Sequence, residues 1–312
     1  MSNRLEKVAR KANKSGGVLG RQKKLSSTKA PQVKRRKLFA GGLDANAFDP
    51  KDITGLQLWL RADNAINAFV ADGDVTAWSD ESSNSNHCAI PLMPHRPHWK
   101  ENVFGTKPAI LFTGSADEYL DTTGISSLFI DDASDSDYTV ILMIKPTGVA
   151  TDNQAIFSQY ATTNWASTAT TDSNVLAMGI DVDSKSTILG KSTTGDVSIG
   201  DTLVDSTAYI MVARQEYAST TMRHFLNGTK KSTVTDWVRG TGAVGGQNPT
   251  IGAMYTTSRG SNTYTNEYTG YIAEIIVYDS AISEENLKHV HNYLITKYSL
   301  NKSQMSIPRL NG

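Results

Sequence analysis

The chain has one cysteine, Cys88, in 312 residues. No disulfide can close within it, so the fold has to rest on packing alone. No stretch of eighteen apolar residues occurs, which excludes a membrane-spanning helix. The positively charged start has no apolar segment behind it, so a secretory signal peptide is not expected. An Arg- and Ser-rich, acid-poor start also suits a mitochondrial presequence, the lesser reading of this segment. Familiar catalytic spacings are missing too. There is no G-x-S-x-G, no phosphate-binding P-loop and no H-E-x-x-H. Retaining glycoside hydrolysis needs two carboxylates about 5 Å apart. On one strand that requires acids facing the same side, as in E-x-D-x-x-E, and no such pattern occurs. Enzymatic activity is therefore not expected.

Acidic residues are scarce at one end. Residues 1–40 hold thirteen Lys or Arg and one acid, Glu6, for a net charge of +12. The remaining 18 basic and 30 acidic residues give −12, so a formal net charge of zero hides a cationic arm on an anionic body. Leu5, Val8, Ala9 and Ala12 recur at helical spacing, which predicts a short basic helix near the start, ended by Gly16-Gly17. Beyond it, residues 20–40 have few apolar side chains to offset ordering entropy. The Lys34-Arg35-Arg36-Lys37 cluster lies here and is the candidate assembly anchor. Nucleic acid is a further candidate partner, through phosphate neutralisation. Without interleaved aromatics the arm offers no base stacking, so sequence-specific recognition is not expected. Residues 41–50 read as a linker.

The rest of the chain reads as many short strands. Leu56–Leu60, Ala109–Thr113, Tyr138–Lys145, Ala155–Gln159, Val175–Ile180, Ile188–Lys191 and Tyr209–Arg214 have β-branched or apolar runs between polar breaks. Tyr138–Lys145 is among the most apolar and should lie centrally. Met222–Val234 reads as a hairpin around Asn227-Gly228, a pair suited to the positive φ of a type I′ turn. Three prolines within Ile90–Trp99 keep that stretch out of a sheet centre. After a strand at Pro249–Met254, the stretch from Gly270 to Leu300 organises the whole. Tyr271–Tyr278 is a strand apolar enough for burial on both faces. Ser283 is a good N-cap, Glu284 and Glu285 suit the first turn, and Leu287, Val290, Leu294 and Tyr298 form one apolar helical face. A strand feeding a short closing helix needs a sheet already in place. Ten to twelve strands with one helix predict a two-sheet antiparallel sandwich.

The closing pattern IAEIIVYD-x-A-I-S-x-E-x-L-x-x-V-x-x-YL-x-x-KY resembles the end of concanavalin A-like (laminin-G-like) jelly-roll modules. Near the start, LQLWLRADNA, VTAWSDESSNSNHCAI and KPAILFTGSADEYLDTT resemble that family's LWL-x-A-D strand, W-x-D-x-S-x-x-x-NHA loop and P-x-x-x-F-x-G-x-x-D-x-L strand. The resemblance runs from about Ile53 to Leu300. It implies an all-β jelly-roll body over residues 53–300, a basic arm and linker over 1–52, and a tail over 301–312. Modules of this kind occur in bacterial secreted proteins and in phage particles. Within the motifs, Trp59 and Trp78 are expected in the core, and His87 and Cys88 in a structural loop. Glucanases share the fold, but the carboxylate pair is absent, and Glu274, alone among apolar residues, is expected to hold a structural hydrogen bond.

Candidate ligand-binding side chains follow. Glycans bind aromatic faces, and Trp165, Trp237, Tyr255, Tyr264 and Tyr268 lie in polar stretches. Asp131, Asp132, Asp135 and Asp137 crowd one Ser-rich loop, where calcium is the candidate cofactor, since it takes six to eight oxygen ligands. The resemblance adds that many such modules hold calcium at a sandwich rim. A solvated acidic loop is the simpler account of that cluster. Asp181 and Asp183 are a weaker fragment of the same kind. His87, Cys88, His95 and His98 invite a zinc reading, but their spacing fits no common structural zinc pattern. Arm and body together suggest a structural protein of a virion, docked by the arm to capsid proteins or to other copies of itself, with a glycan as further partner and no membrane contact. The rival is a carbohydrate-binding module of a secreted or cell-surface bacterial protein.

Overall fold

The computed structural model describes residues 48–64, 72–89, 96–116, 118–125, 137–149, 152–159, 176–192, 197–238, 248–255 and 264–301. The chain divides into two units, Met1–Gly42 and Leu43–Gly312, and all described residues lie in the second.

After a 3₁₀ turn, Pro50–Asp52, the strands run in chain order. β1 is Leu56–Arg61, β2 Ala77–Trp78, β3 Cys88–Ala89, β4 His98–Phe104 and β5 Lys107–Thr113. β6 is Leu120–Thr122, β7 Tyr138–Pro146, β8 Gln154–Gln159, β9 Leu176–Ile180 and β10 Lys185–Leu189. β11 is Lys191–Ser192, β12 Val197–Thr202, β13 Tyr209–Glu216, β14 Thr221–Leu226 and β15 Thr229–Val234. β16 is Trp237–Val238, β17 Thr250–Ile251, β18 Met254–Tyr255, β19 Tyr264–Thr265 and β20 Thr269–Tyr278, followed by helix α1, Glu284–Lys297.

Two eight-stranded antiparallel sheets form a sandwich. The first runs β15-β14-β13-β7-β20-β5-β4, with β1 also paired to β20; the second runs β12-β10-β9-β8-β17-β6-β3-β2. The long apolar strands β7 and β20 lie side by side in the middle of the first sheet, as the YTVILMIK run predicts. β4, which follows the proline-rich stretch, is an edge strand. Asn227 and Gly228 take φ of 50° and 78° and close the β14–β15 hairpin as their sequence requires. Short strands such as β2, β3 and β6 carry too little periodic signal to be foreseen.

Each face of the first sheet meets a different layer. Leu58, Leu60, Val140, Leu142, Ile275 and Val277 face the second sheet. Trp59, Ile141, Met143, Ile276 and Tyr278 face outward, where Leu287, Val290, Leu294 and Tyr298 of the helix region cover them. The helix is capped as predicted, with Ser283 Oγ accepting from Asn286 N. Its docking buries five large apolar side chains, these four and Ile295, each contributing on the order of 2 kcal/mol. Residues 48–52, assigned to the linker on sequence, pack on this same layer. Phe48 stacks on His289 and meets Tyr293 at a tilt, and Tyr278 donates to Pro50 O at 3.1 Å.

The loop after β2 locks β1 in position. Asp80 accepts from Trp59 N (2.8 Å), Ser82 N (2.8 Å), Ser82 Oγ (2.6 Å) and Asn86 N (3.0 Å). Asn84 and Asn86 donate to the Leu56 and Gln57 carbonyls, and His87 Nδ1 accepts from Asp80 N. The W-x-D-x-S-x-x-x-NH motif is thus a clamp of side chains on backbone groups. Its histidine is spent on that clamp and Cys88 is buried, so the zinc reading loses two of its members.

Candidate functional site

A polar cleft of about 460 Å³ opens on the outer side of the first sheet, between β1, the C-terminal end of α1 and the 3₁₀ turn. Phe48, Trp59 and Tyr293 supply aromatic wall. Arg61, Asp63, Lys107 and Lys297 supply charge, and Asp49, Pro50 and Thr296 complete the rim.

Glu274 anchors the cluster from below. Its carboxylate accepts from Trp59 Nε1 (2.5 Å), Tyr293 OH (2.9 Å), Lys297 Nζ (2.7 Å) and Tyr298 OH (2.7 Å). A buried carboxylate tolerates burial only when paired and hydrogen-bonded, and Glu274 has both. Lys297 Nζ also reaches Asp63 at 3.0 Å, so one ammonium bridges two carboxylates. Arg61 binds Asp63 with both Nε (3.0 Å) and an Nη (3.2 Å), and its guanidinium lies 5.1 Å from the Trp59 ring centre. Lys107 stands 3.6 Å from Asp63, the loosest pair of the set.

Titration behaviour follows from this packing. Burial works to raise the Asp63 carboxyl, but the Arg61 hydrogen bond and the nearby Lys297 outweigh it and hold the group at about 2. Burial opposes the Arg61 charge, and Asp63 more than compensates, keeping the guanidinium cationic. Burial, then the Glu274 charge, push the Tyr293 and Tyr298 phenols upward, so both stay protonated donors. The cleft therefore offers fixed donors and acceptors in self-neutralising pairs. Retaining hydrolysis needs one carboxylic acid and one nucleophile flanking a sugar. Here Lys297 sits between the two carboxylates, and Glu274 is sealed from solvent.

The sequence-predicted binding residues are not brought together. Trp237 is 1% exposed and closes against Gly190, where an added Cβ would fall 1.8 Å from the indole. Tyr268 is 0% exposed and packs beside Phe112. Neither presents a face to a sugar, which corrects both assignments: polar neighbours in sequence did not mean an exposed ring. Tyr255 and Tyr264 are paired in register on β18 and β19, with side chains outside the described set. Trp165, Asp131, Asp132, Asp135, His95 and Lys34–Lys37 lie outside the described residues. Asp137 accepts from Tyr217 N at 2.7 Å, and Asp181 from Asp183 N and Lys185 N, so each holds a turn. Among the described residues no group of three metal-ligating side chains occurs. Arg61, Asp63, Lys107 and Lys297 went unnoticed on sequence. Their only signal is charge beside or within apolar runs; Glu274 showed the same signal and was read as structural, as observed.

No protein-family model matches the chain, and no curated protein sequence matches it. Solved structures do match in shape. The binding domain of Paraclostridial Mosquitocidal Protein 1 aligns over 78% of this chain and 52% of its own, with a TM-score of 0.52 and 12% identity. Trypanosoma rangeli sialidase bound to 2,3-difluorosialic acid aligns over 78% of this chain and 33% of its own, with a TM-score of 0.50 and 11% identity. The likeness is one of fold. It places the body among jelly-roll-like two-sheet sandwiches, and the chain spans about half the length of the first protein and a third of the second.

Proposed function

We propose that this chain is a non-enzymatic structural protein of a phage particle, a decoration or fibre component. Its basic arm docks it to the assembly, and its sandwich projects outward and takes up glycans. The observation that carries this reading is the charge split, +12 within residues 1–40 against −12 in the remainder. Such a division separates attachment from display: a cationic segment engages an acidic surface while a stable body faces solvent. Ordering the arm costs about 1 kcal/mol per residue in backbone entropy, so many charge-assisted contacts must form together. Deleting residues 1–47 should leave a folded, soluble body that no longer co-sediments with particles. Normal particle occupancy of that truncated protein would sink the reading.

The cleft favours a second reading, a carbohydrate-binding module of a secreted or cell-surface protein. Aromatic wall beside neutralised donor–acceptor pairs suits a polyhydroxylated, uncharged ligand. Thr296 lies exposed on the rim, so Thr296→Trp fills the cleft without touching the core. Titration calorimetry against a panel of neutral oligosaccharides should show binding to the parent chain and none to Thr296→Trp. Binding without particle association would favour the module over the virion protein. Equal binding by both chains would remove the cleft from either account.

A further inference from the structure

Among the described residues, three large apolar side chains are exposed: Val182 at 57%, Ile199 at 46% and Val204 at 59%. All three belong to one corner of the second sheet. Val182 lies in the β9–β10 turn, Ile199 on the edge strand β12, and Val204 just after that strand. Leu203 N donates to Ser184 O at 2.7 Å, which ties the segment before Val204 to the turn that carries Val182. Val182 N in turn donates to Asn153 Oδ1.

The corner is also acidic. Asp152, Asp183, Asp201 and Asp205 are exposed beside these apolar side chains. Asp183 pairs with Lys185 and Asp201 with Lys231. Asp205 spends one oxygen on Val149 N, and no cation is within ion-pair distance of it or of Asp152 among the described residues. Apolar surface ringed by net negative charge is a docking surface for a segment that is both basic and apolar. The chain itself carries such a segment, Lys34-Arg35-Arg36-Lys37-Leu38-Phe39.

We infer that this corner is the docking site for residues 34–39 of a second copy of the chain, with Leu38 and Phe39 against Val182 and Val204 and the four cations against the aspartates. The inference rests on the reading of the arm as an anchor and names its partner. A second copy is the favoured occupant because a head-to-tail contact of this kind repeats from copy to copy, as the anchoring role of the arm requires.

The test is sedimentation velocity on the full-length protein at 50 and 500 mM salt. Self-association is expected at low salt and should weaken at least tenfold at high salt. Asp152→Lys with Asp205→Lys should weaken it at least tenfold at 50 mM salt, as should glutamate at all four positions 34–37. Combining the two charge reversals should restore it. Restoration cannot come from misfolding, so the combined variant guards against a merely unstable body. A full-length protein that stays monomeric at 50 mM salt overturns the inference, and so does association indifferent to the aspartate changes. Particle binding that needs the arm but ignores Asp152 and Asp205 overturns the inference and leaves the anchor reading standing. Particle binding without the arm removes the anchor reading itself.

Discussion

The two faces of the first sheet bury polar groups in opposite ways. On the outer face, Glu274 has a donor for each of four contacts and sits among Arg61, Asp63 and Lys297. On the inner face, Gln215 follows Tyr209, Met211 and Ala213 toward the second sheet, and neither end of its carboxamide has a hydrogen-bond partner among the described residues. Ser186 Oγ on the opposing sheet is likewise unsatisfied. In the sandwich core an isolated polar group costs free energy, because its apolar surroundings offer no hydrogen bond to replace those made with water. The helix layer is thinner, and there charge is organised into a network that joins β1, β20 and α1. Removing one member of a network strands the others, whereas removing an isolated polar group strands nothing.

That contrast can be tested in order of size. Leu294→Asp should have the largest effect, about 4 kcal/mol or more, because it places a charge in the fully buried contact between α1 and the sheet. Denaturant unfolding measures it, and an unchanged midpoint would mean the helix is not docked. Glu274→Gln should cost about 3 kcal/mol by leaving Lys297 and Asp63 without their common charge balance. If its cost matches that of an exposed carboxylate, the outer network is ornamental.

Acid should act next on the same layer. His291 is buried on α1, and burial lowers its pKa to about 4 from an ordinary value of 6.5. The unfolded chain therefore takes up a proton first. Stability should fall by on the order of 3 kcal/mol as pH drops from 6.5 to 4, then level off for this group. Asp63 adds a second step. Its stabilisation is complete above the unfolded value near 4 and is lost as pH falls toward 2. His291→Leu should abolish the first step and spare the second, read from urea midpoints across pH. Gln215→Leu should have the smallest effect, within about 1 kcal/mol and in the stabilising direction, since an unpartnered amide is replaced by an isosteric apolar group. A clear loss there would show that the inner face is also a network.

Much of the architecture was legible in the residues. The continuous apolar runs of β7 and β20, the Asn227-Gly228 turn and the Ser283 cap are local signals that tertiary packing had no reason to override. The cleft was far less legible. Its members come from positions 48–63, 107 and 274–297, and no spacing rule links them. Exposure of aromatics was misread at Trp237 and Tyr268 because sequence neighbours say nothing of which sheet covers a ring.

The sequence by itself determined the strand-rich body, the closing helix and the separation of a cationic arm from an anionic remainder, since periodicity and charge are properties of the chain. Only the tertiary structure decided where Glu274 points. Strict alternation from Ile272, an inner-core residue, would send Glu274 into the space between the sheets. The β-bulge between Ile272 and Glu274 shifts the alternation by one residue. Glu274 then shares the outer face with Ile276 and Tyr278, within reach of Trp59 on β1 and Lys297 on α1. A single extra residue in one strand, invisible to composition or periodicity, turns what would be an unpaired charge in the core into the buried anchor beneath the cleft.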